Sequence, residues 1–154
     1  MQAYMERVCI RFLNNLLFLF LMKDCFFCKI QNPNNKEHKH LNKIIENESF
    51  IARWDGFPVS EGHVDVVIKR HIESIFDLKD SEAKNLLGII KEVKKILDKR
   101  YSPQGYTVGV NEGRAAGRTI DHLHVQFIPR YEGDVPDPTG GVRNVIPGKG
   151  NYLR

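Results

Sequence analysis

The segment of residues 121–130, Asp-His-Leu-His-Val-Gln-Phe-Ile-Pro-Arg, constrains the fold most strongly because polar and apolar side chains alternate along it. In a β-strand, side chains two residues apart lie on the same face. One face carries His122, His124, Gln126 and Ile128, and the other carries Leu123, Val125 and Phe127. The pattern predicts a strand that packs one face against a hydrophobic core and presents two imidazoles and an amide on the other.

The remaining sequence predicts further strands and one long helix. Residues 43–54 read as a strand pair or a bent strand, and residues 63–68 and 106–110 as single strands. Apolar residues at helical spacing predict a helix from Asp80 or Ser81 to about Arg100. Because two strands precede the helix and two follow it, we expect an α+β fold with an antiparallel sheet.

The chain of 154 residues divides by composition into three parts. We expect an N-terminal extension over residues 1–22, one domain over residues 23–133, and a Pro/Gly-rich tail over residues 134–154. The apolar run at residues 16–22 is too short to span a bilayer, and no small-residue cleavage site follows it. We interpret residues 1–22 as sequence upstream of a true start at Met22 or as an extra helix, rather than as a targeting segment.

The formal net charge is +4, which suits phosphate-bearing ligands. The basic residues of the long helix lie on its predicted outer face and indicate a solvated surface, so no nucleic-acid partner and no membrane association are expected. The three cysteines do not form a disulfide framework. Their number favours a metal site or reduced thiols, and hence a cytoplasmic location.

Cys25 and Cys28 have the C-x-x-C spacing that supplies two of the four ligands of a zinc ion. Two histidines are then needed to complete the site. His71 and His122 are candidates, and His38 and His40, in a nearby polar loop, are rivals. The spacing alone does not choose between these two pairs.

Two histidines in alternation, with Gln126 on the same face, favour a functional role over that of ordinary satisfied side chains. Besides binding metal, a neutral imidazole can attack phosphorus and form a labile phosphoramidate. The preceding segment, residues 111–119, contains Gly113, Gly117 and Thr119. Backbone amides and a hydroxyl beside a reactive histidine suit a phosphate group.

With these residues assembled, the chain resembles the histidine triad (HIT) superfamily of nucleotide hydrolases and transferases. The likeness covers about residues 23–133. Five segments carry it in order, namely residues 24–30, 58–63, 69–71, 111–119 and 122–130. The resemblance implies a HIT-like antiparallel sheet of about five strands with one long and one short helix, and a homodimer.

The resemblance also assigns roles to individual residues. His124 falls on the nucleophile of the family, which attacks the α-phosphorus and forms a nucleotidyl-histidine. As in zinc-bearing bacterial members, the ligands of a structural zinc ion would be Cys25, Cys28, His71 and His122. Asp55 matches a ribose-binding position, and His63 matches a histidine beside the α-phosphate. The phosphate-binding positions fall on Asn111, Gly117, Arg118 and Thr119, with Arg118 in place of a usual Gln.

Gln126 departs from the family pattern, in which a third histidine stands at this position. Glutamine can donate a hydrogen bond to a phosphoryl oxygen, but it cannot deliver a proton near neutral pH. The resemblance therefore implies a nucleotidyl hydrolase or transferase acting on dinucleoside polyphosphates or related nucleoside phosphates, with hydrolysis favoured. The alternatives are a nucleoside phosphoramidate hydrolase and a non-catalytic nucleotide-binding protein.

Overall fold

The structure, a computed structural model, describes residues 24–153. Five strands form one antiparallel sheet in the order β1-β2-β3-β5-β4. The strands are β1 Lys43–Glu46, β2 Phe50–Trp54, β3 Val64–Ile68, β4 Gly105–Gly109 and β5 His124–Arg130. The described residues contain one short α-helix, α1 (Phe26–Gln31), and one long α-helix, α2 (Asp80–Tyr101). Within the described residues, this arrangement confirms the predicted fold class. The expected extension over residues 1–22 lies outside them.

Helix α2 covers one face of the sheet because its apolar residues recur at helical spacing. Ile89, Val93 and Leu97 are buried and pack in one cluster with the inward side chains of the central strands. The strand residues of this cluster are Phe50, Ala52, Val64, Val66, Ile68, Leu123, Val125 and Phe127. The main hydrophobic core therefore lies between α2 and the sheet.

The opposite face of the sheet carries the polar side chains of β5. Along β5 the burial alternates strictly, with Val125, Phe127 and Pro129 buried and the residues between them partly exposed. The alternation confirms the predicted two-faced strand, although the strand begins at His124 and not at His122. Helix α1 packs on this same face, where Phe27 and Ile30 form a second, smaller core with Leu41, Ile51 and Val67.

The tail folds back towards the edge strand β4. Residues 134–153 are largely irregular except for a 3-10 helix over Gly141–Val145 that contacts β4. No helix among residues 24–153 has the length and apolar composition needed to cross a bilayer.

Candidate functional site

Two cysteines and two histidines from separate segments meet at one end of the sheet. Cys25 precedes helix α1 and Cys28 lies within it, while His71 and His122 lie in loops that follow β3 and precede β5. One ligand atom from each residue lies within 4.8 Å of the others. The four residues can therefore hold a metal ion. The rival His38 lies elsewhere, and its Nδ1 contacts the carbonyl of Ile30 at 2.9 Å.

The sulfur–nitrogen distances fit a tetrahedral ion. The Sγ atom of Cys25 lies 3.4 Å from Nδ1 of His122, and Sγ of Cys28 lies 3.4 Å from Nδ1 of His71 and 3.5 Å from Nδ1 of His122. Ordinary zinc–sulfur and zinc–nitrogen bond lengths in tetrahedral geometry place the two ligand atoms about 3.6 Å apart. The cluster therefore matches zinc in ligand type, number and spacing.

A hydrogen bond sets the tautomer of His122. Its Nε2 lies 2.7 Å from the carbonyl oxygen of Ile68, to which it donates. The other nitrogen, Nδ1, then carries the lone pair and points at the two sulfur atoms. The same interaction of a metal-binding histidine with a backbone carbonyl is a common feature of zinc sites. The neighbouring Cys28 thiol and the His122 ring lower the pKa of Cys25 and favour its thiolate form.

The side chain of His124 is held as a neutral imidazole with its lone pair on Nε2. Its Nδ1 lies 2.8 Å from the backbone carbonyl of His122 and donates to it, so the neutral ring carries its lone pair on Nε2. Burial lowers the pKa of His124, which keeps the imidazole neutral near pH 7. The ring of Phe27 packs against it with a centroid separation of 5.1 Å. The adjacent His122 thus contacts the two cysteines through its side chain and His124 through its carbonyl.

A row of three polar side chains crosses the sheet next to His124. Arg53 of β2 pairs in register with Asp65 of β3, which pairs with Gln126 of β5. Nη1 of Arg53 lies 2.7 Å from Oδ2 of Asp65, and Nε2 of Gln126 donates to Oδ1 of Asp65 at 3.1 Å. Arg53 and Asp65 are both buried, so Gln126 is bonded to a desolvated ion pair.

Asp55, His63 and Asp65 form a second group of possible ligand atoms within 4.8 Å of one another. Nδ1 of His63 accepts from the backbone amide of Val59 at 3.3 Å, whereas its buried Nε2 has no hydrogen-bond partner in the described part of the chain. A cation here would compete with Arg53, which already neutralises Asp65. The group is therefore better suited to binding the polar groups of a ligand than to binding a metal ion.

Burial and the neighbouring Asp55 carboxylate raise the pKa of Asp65 to about 7, against the opposing effect of Arg53. This pKa is higher than the ordinary value of 3.8. Between about pH 4 and pH 7, Asp65 is therefore protonated in the folded chain but ionised in the unfolded chain. The resulting stability is present below pH 4 and disappears as the pH rises through 7, a change of roughly 4 kcal/mol.

We therefore expect Asp65→Asn to flatten the pH dependence of the unfolding free energy, measured by urea titration at several pH values. Asp55→Asn should lower the pKa of Asp65 in a carboxyl NMR titration, because it removes a nearby negative charge. An Asp65 carboxyl that titrates near 4 in the wild-type chain would contradict the assignment.

The segment 111–119 forms a tight turn before β5. Residues Arg114–Ala116 make a short 3-10 helix between Gly113 and Gly117, whose φ angles of 81° and 92° suit glycine. Asn111 is exposed, and its side-chain nitrogen lies beside Gly117. Thr119 is also exposed and lines a cavity together with Cys25 and His71. Asn111 and Gly117 are thus adjacent, whereas Thr119 lies beside the group of two cysteines and two histidines.

Arg118 is held by two acidic residues. Its Nη2 lies 2.7 Å from a carboxylate oxygen of Glu73, and its Nε lies 3.2 Å from a carboxylate oxygen of Asp121. Its side chain is 13% exposed, so little of the guanidinium is open to a ligand. A phosphate contact by Arg118 stays a prediction, and it would require at least one of these pairs to open.

Sequence reasoning missed Arg53, Asp65 and Phe27 as parts of the site. A signal existed for Asp65, since it interrupts an apolar run in the segment His-Val-Asp-Val-Val-Ile and a buried carboxylate needs a partner. That partner, Arg53, becomes evident only when the register of β2 against β3 is known.

Known proteins are similar to this chain in both sequence and fold. A family model of the HIT domain matches residues 36–133. An uncharacterised HIT-like protein of Methanocaldococcus jannaschii is 36% identical over 110 residues, which cover 71% of this chain and 81% of that protein. A Schizosaccharomyces pombe protein named adenosine 5′-monophosphoramidase is 33% identical over 106 residues, covering 69% and 74% of the two chains.

Solved structures agree with these sequence matches. The crystal structure of a HIT family member from Bacillus subtilis has a TM-score of 0.65 at 30% identity, covering 72% of this chain and 76% of that one. The chain belongs to the HIT domain family. The family resemblance inferred from the motifs is thereby confirmed.

Proposed function

We propose that the protein is a nucleotidyl hydrolase or transferase that acts on dinucleoside polyphosphates or related nucleoside phosphates, with hydrolysis favoured. The observation that carries this proposal is the hydrogen bond from Nδ1 of His124 to the His122 carbonyl, which leaves Nε2 with a lone pair. A neutral imidazole fixed in this way on a rigid strand is prepared to attack phosphorus.

In the proposed reaction, Nε2 of His124 forms a bond to the α-phosphorus while the bond to the leaving group breaks. The leaving group departs with the bonding electrons, and the nucleotidyl group stays on His124 as a phosphoramidate. Water or another acceptor then attacks the same phosphorus, loses a proton, and releases His124. Asn111, Gly117 and Thr119 are proposed to stabilise the charge that develops on the phosphoryl oxygens.

Gln126 is proposed to hold a phosphoryl oxygen beside His124. One of its two amide protons is donated to Asp65, and the second is available for a ligand. Asp55 is proposed to bind ribose hydroxyls. Nε2 of His63, which has no hydrogen-bond partner among residues 24–153, is proposed to contact the α-phosphate. Arg118 is a further proposed phosphate contact, once it is released from its acidic partners.

We further propose that Cys25, Cys28, His71 and His122 hold a structural zinc ion. Four protein ligands would leave no open coordination position, so the ion would supply structure and not an activated water. A homodimer and a domain spanning residues 23–133 are proposed from the family resemblance, and a cytoplasmic location from the small number of cysteines.

Two other functions compete with this one. A relative named adenosine 5′-monophosphoramidase favours phosphoramidate hydrolysis, whereas Gln126 cannot protonate the amine that such a reaction releases. A nucleotide-binding protein without turnover is the second alternative. A panel of dinucleoside polyphosphates, phosphoramidates and sugar nucleotides, assayed with and without inorganic phosphate as acceptor, separates them.

The panel has a distinct outcome for each case. Cleavage of dinucleoside polyphosphates without added phosphate supports the proposed hydrolase, and a requirement for phosphate indicates a transferase. Cleavage restricted to phosphoramidates supports the first alternative. Tight binding of nucleoside monophosphates in calorimetry, with no turnover of any compound, would contradict an enzymatic function.

A further inference from the structure

The row Arg53–Asp65–Gln126 is built so that each side chain fixes the next. Arg53 is 4% exposed and donates to three acceptors. Its Nε donates to the carbonyl of Leu41 at 3.0 Å, its Nη2 to that of His40 at 3.1 Å, and its Nη1 to Asp65 at 2.7 Å. The guanidinium therefore has a single well-determined orientation, and its hydrogen bond to Asp65 fixes the orientation of the Asp65 carboxylate.

The Asp65 carboxylate in turn determines how the Gln126 amide is oriented. The two ends of a glutamine amide have the same shape but opposite hydrogen-bonding character. Oδ2 of Asp65 accepts from Arg53 and Oδ1 accepts from Gln126. Burial raises the pKa of Asp65 to about 7, so above that pH the ionised carboxylate offers the amide only an acceptor. The nitrogen end of Gln126 must therefore face Asp65. Asp65 is 3% exposed, so water does not compete for this bond.

We propose that Asp65 is the positioning residue for Gln126, and that Arg53 holds Asp65 in place for this task. The inference rests on the proposed function, because it gives Gln126 a defined orientation beside the nucleophile His124. Asp65 does not touch the substrate in this scheme. It fixes which end of the Gln126 amide faces the carboxylate and thereby directs the second N–H.

A double-mutant cycle tests the proposal. In Asp65→Asn, the side-chain oxygen of the new asparagine must accept the hydrogen bond from Arg53. The asparagine nitrogen then faces Gln126, so the Gln126 amide must rotate to present its oxygen as the acceptor. We expect the burst rate with the p-nitrophenyl ester of AMP at pH 8 to fall about tenfold in the wild-type background, which corresponds to 1.4 kcal/mol. In the Gln126→Leu background, the same change should alter the rate less than about twofold. The exposed Asp77→Asn is the matched control.

The result that overturns the proposal is an equal fall in both backgrounds, since Asp65 would then act through the fold and not through Gln126. A second leaving group separates positioning from proton transfer. Positioning predicts the same rate loss with AMP p-nitrophenyl ester and with adenosine 5′-phosphoramidate. A much larger loss with the phosphoramidate would assign Asp65 to proton delivery and overturn the positioning role.

A measurement on the unaltered chain is independent of whether the variants fold. In ¹⁵N-resolved NMR at pH 8, one side-chain amide proton of Gln126 should exchange with solvent more slowly than the other, because only one is bonded to Asp65. Equal and fast exchange of both protons would overturn the proposal. This experiment needs no substrate, so its failure is distinct from a failure of the proposed function. A failure of the proposed function would instead appear as a lack of turnover by the wild-type protein.

Discussion

Replacing His124 with alanine is expected to abolish turnover, with a rate at least about 10³-fold below that of the wild-type chain. The variant lacks the Nε2 lone pair that is proposed to attack phosphorus. Neither Gln126 nor the buried His122, whose Nδ1 faces the cysteine sulfurs, can supply it. Steady-state assays on the substrate cleaved fastest by the wild-type protein measure the loss.

The same variant should keep its fold and its metal. The half-buried His124 ring packs against Phe27, and its removal should lower the unfolding free energy by about 1 kcal/mol. His40→Ala is the matched control because His40 is an exposed histidine, and its backbone carbonyl, which accepts from Arg53, is retained in alanine. A folded His124→Ala protein with wild-type activity would disprove the nucleophile assignment.

Replacing Cys28 with serine or His71 with alanine is expected to remove the metal and to destabilise the chain severely. Either change leaves three ligands, and metal binding contributes directly to folding when the site exists only in the folded state. A loss of roughly 3 kcal/mol or more should lower Tm by about 10 °C in a chain of this size. Elemental analysis of the purified protein and thermal unfolding measure the two effects.

His40→Ala is again the control, and it should retain the metal content of the wild-type protein. Loss of zinc from His40→Ala with retention in His71→Ala would transfer the fourth ligand to the loop. Unchanged zinc stoichiometry in Cys28→Ser would remove the metal assignment altogether. A fall in activity beyond the loss of folded protein is also expected, because the carbonyl of His122 orients His124.

Strand β5 could be predicted from the sequence because its signal is local. The alternation of Val125 and Phe127 with His124 and Gln126 depends only on the period of two in an extended chain. The candidate metal ligands were harder to predict, since spacing alone left His38 and His40 as rivals of His71 and His122. Only the family resemblance favoured the second pair, which the fold brings together with the cysteines.

The Arg53–Asp65 pair could not be predicted, because it depends on the register of β2 against β3. Likewise, Arg118 stands at a phosphate-binding position by resemblance, in place of a usual Gln, yet the fold brings Glu73 from a distant segment within reach of it. A local motif does not show which charged residues from distant segments will contact it. Those contacts decide whether a basic side chain is available to a ligand.

His124 is proposed to carry the nucleotidyl group during turnover. The most direct test is to quench the reaction with a nucleotide labelled at the α-phosphate, digest the protein, and locate the label by mass spectrometry. We predict an acid-labile nucleotidyl adduct on His124 that forms before product appears and is absent from His124→Ala. Turnover without any adduct, or an adduct on His63 instead, would contradict the account.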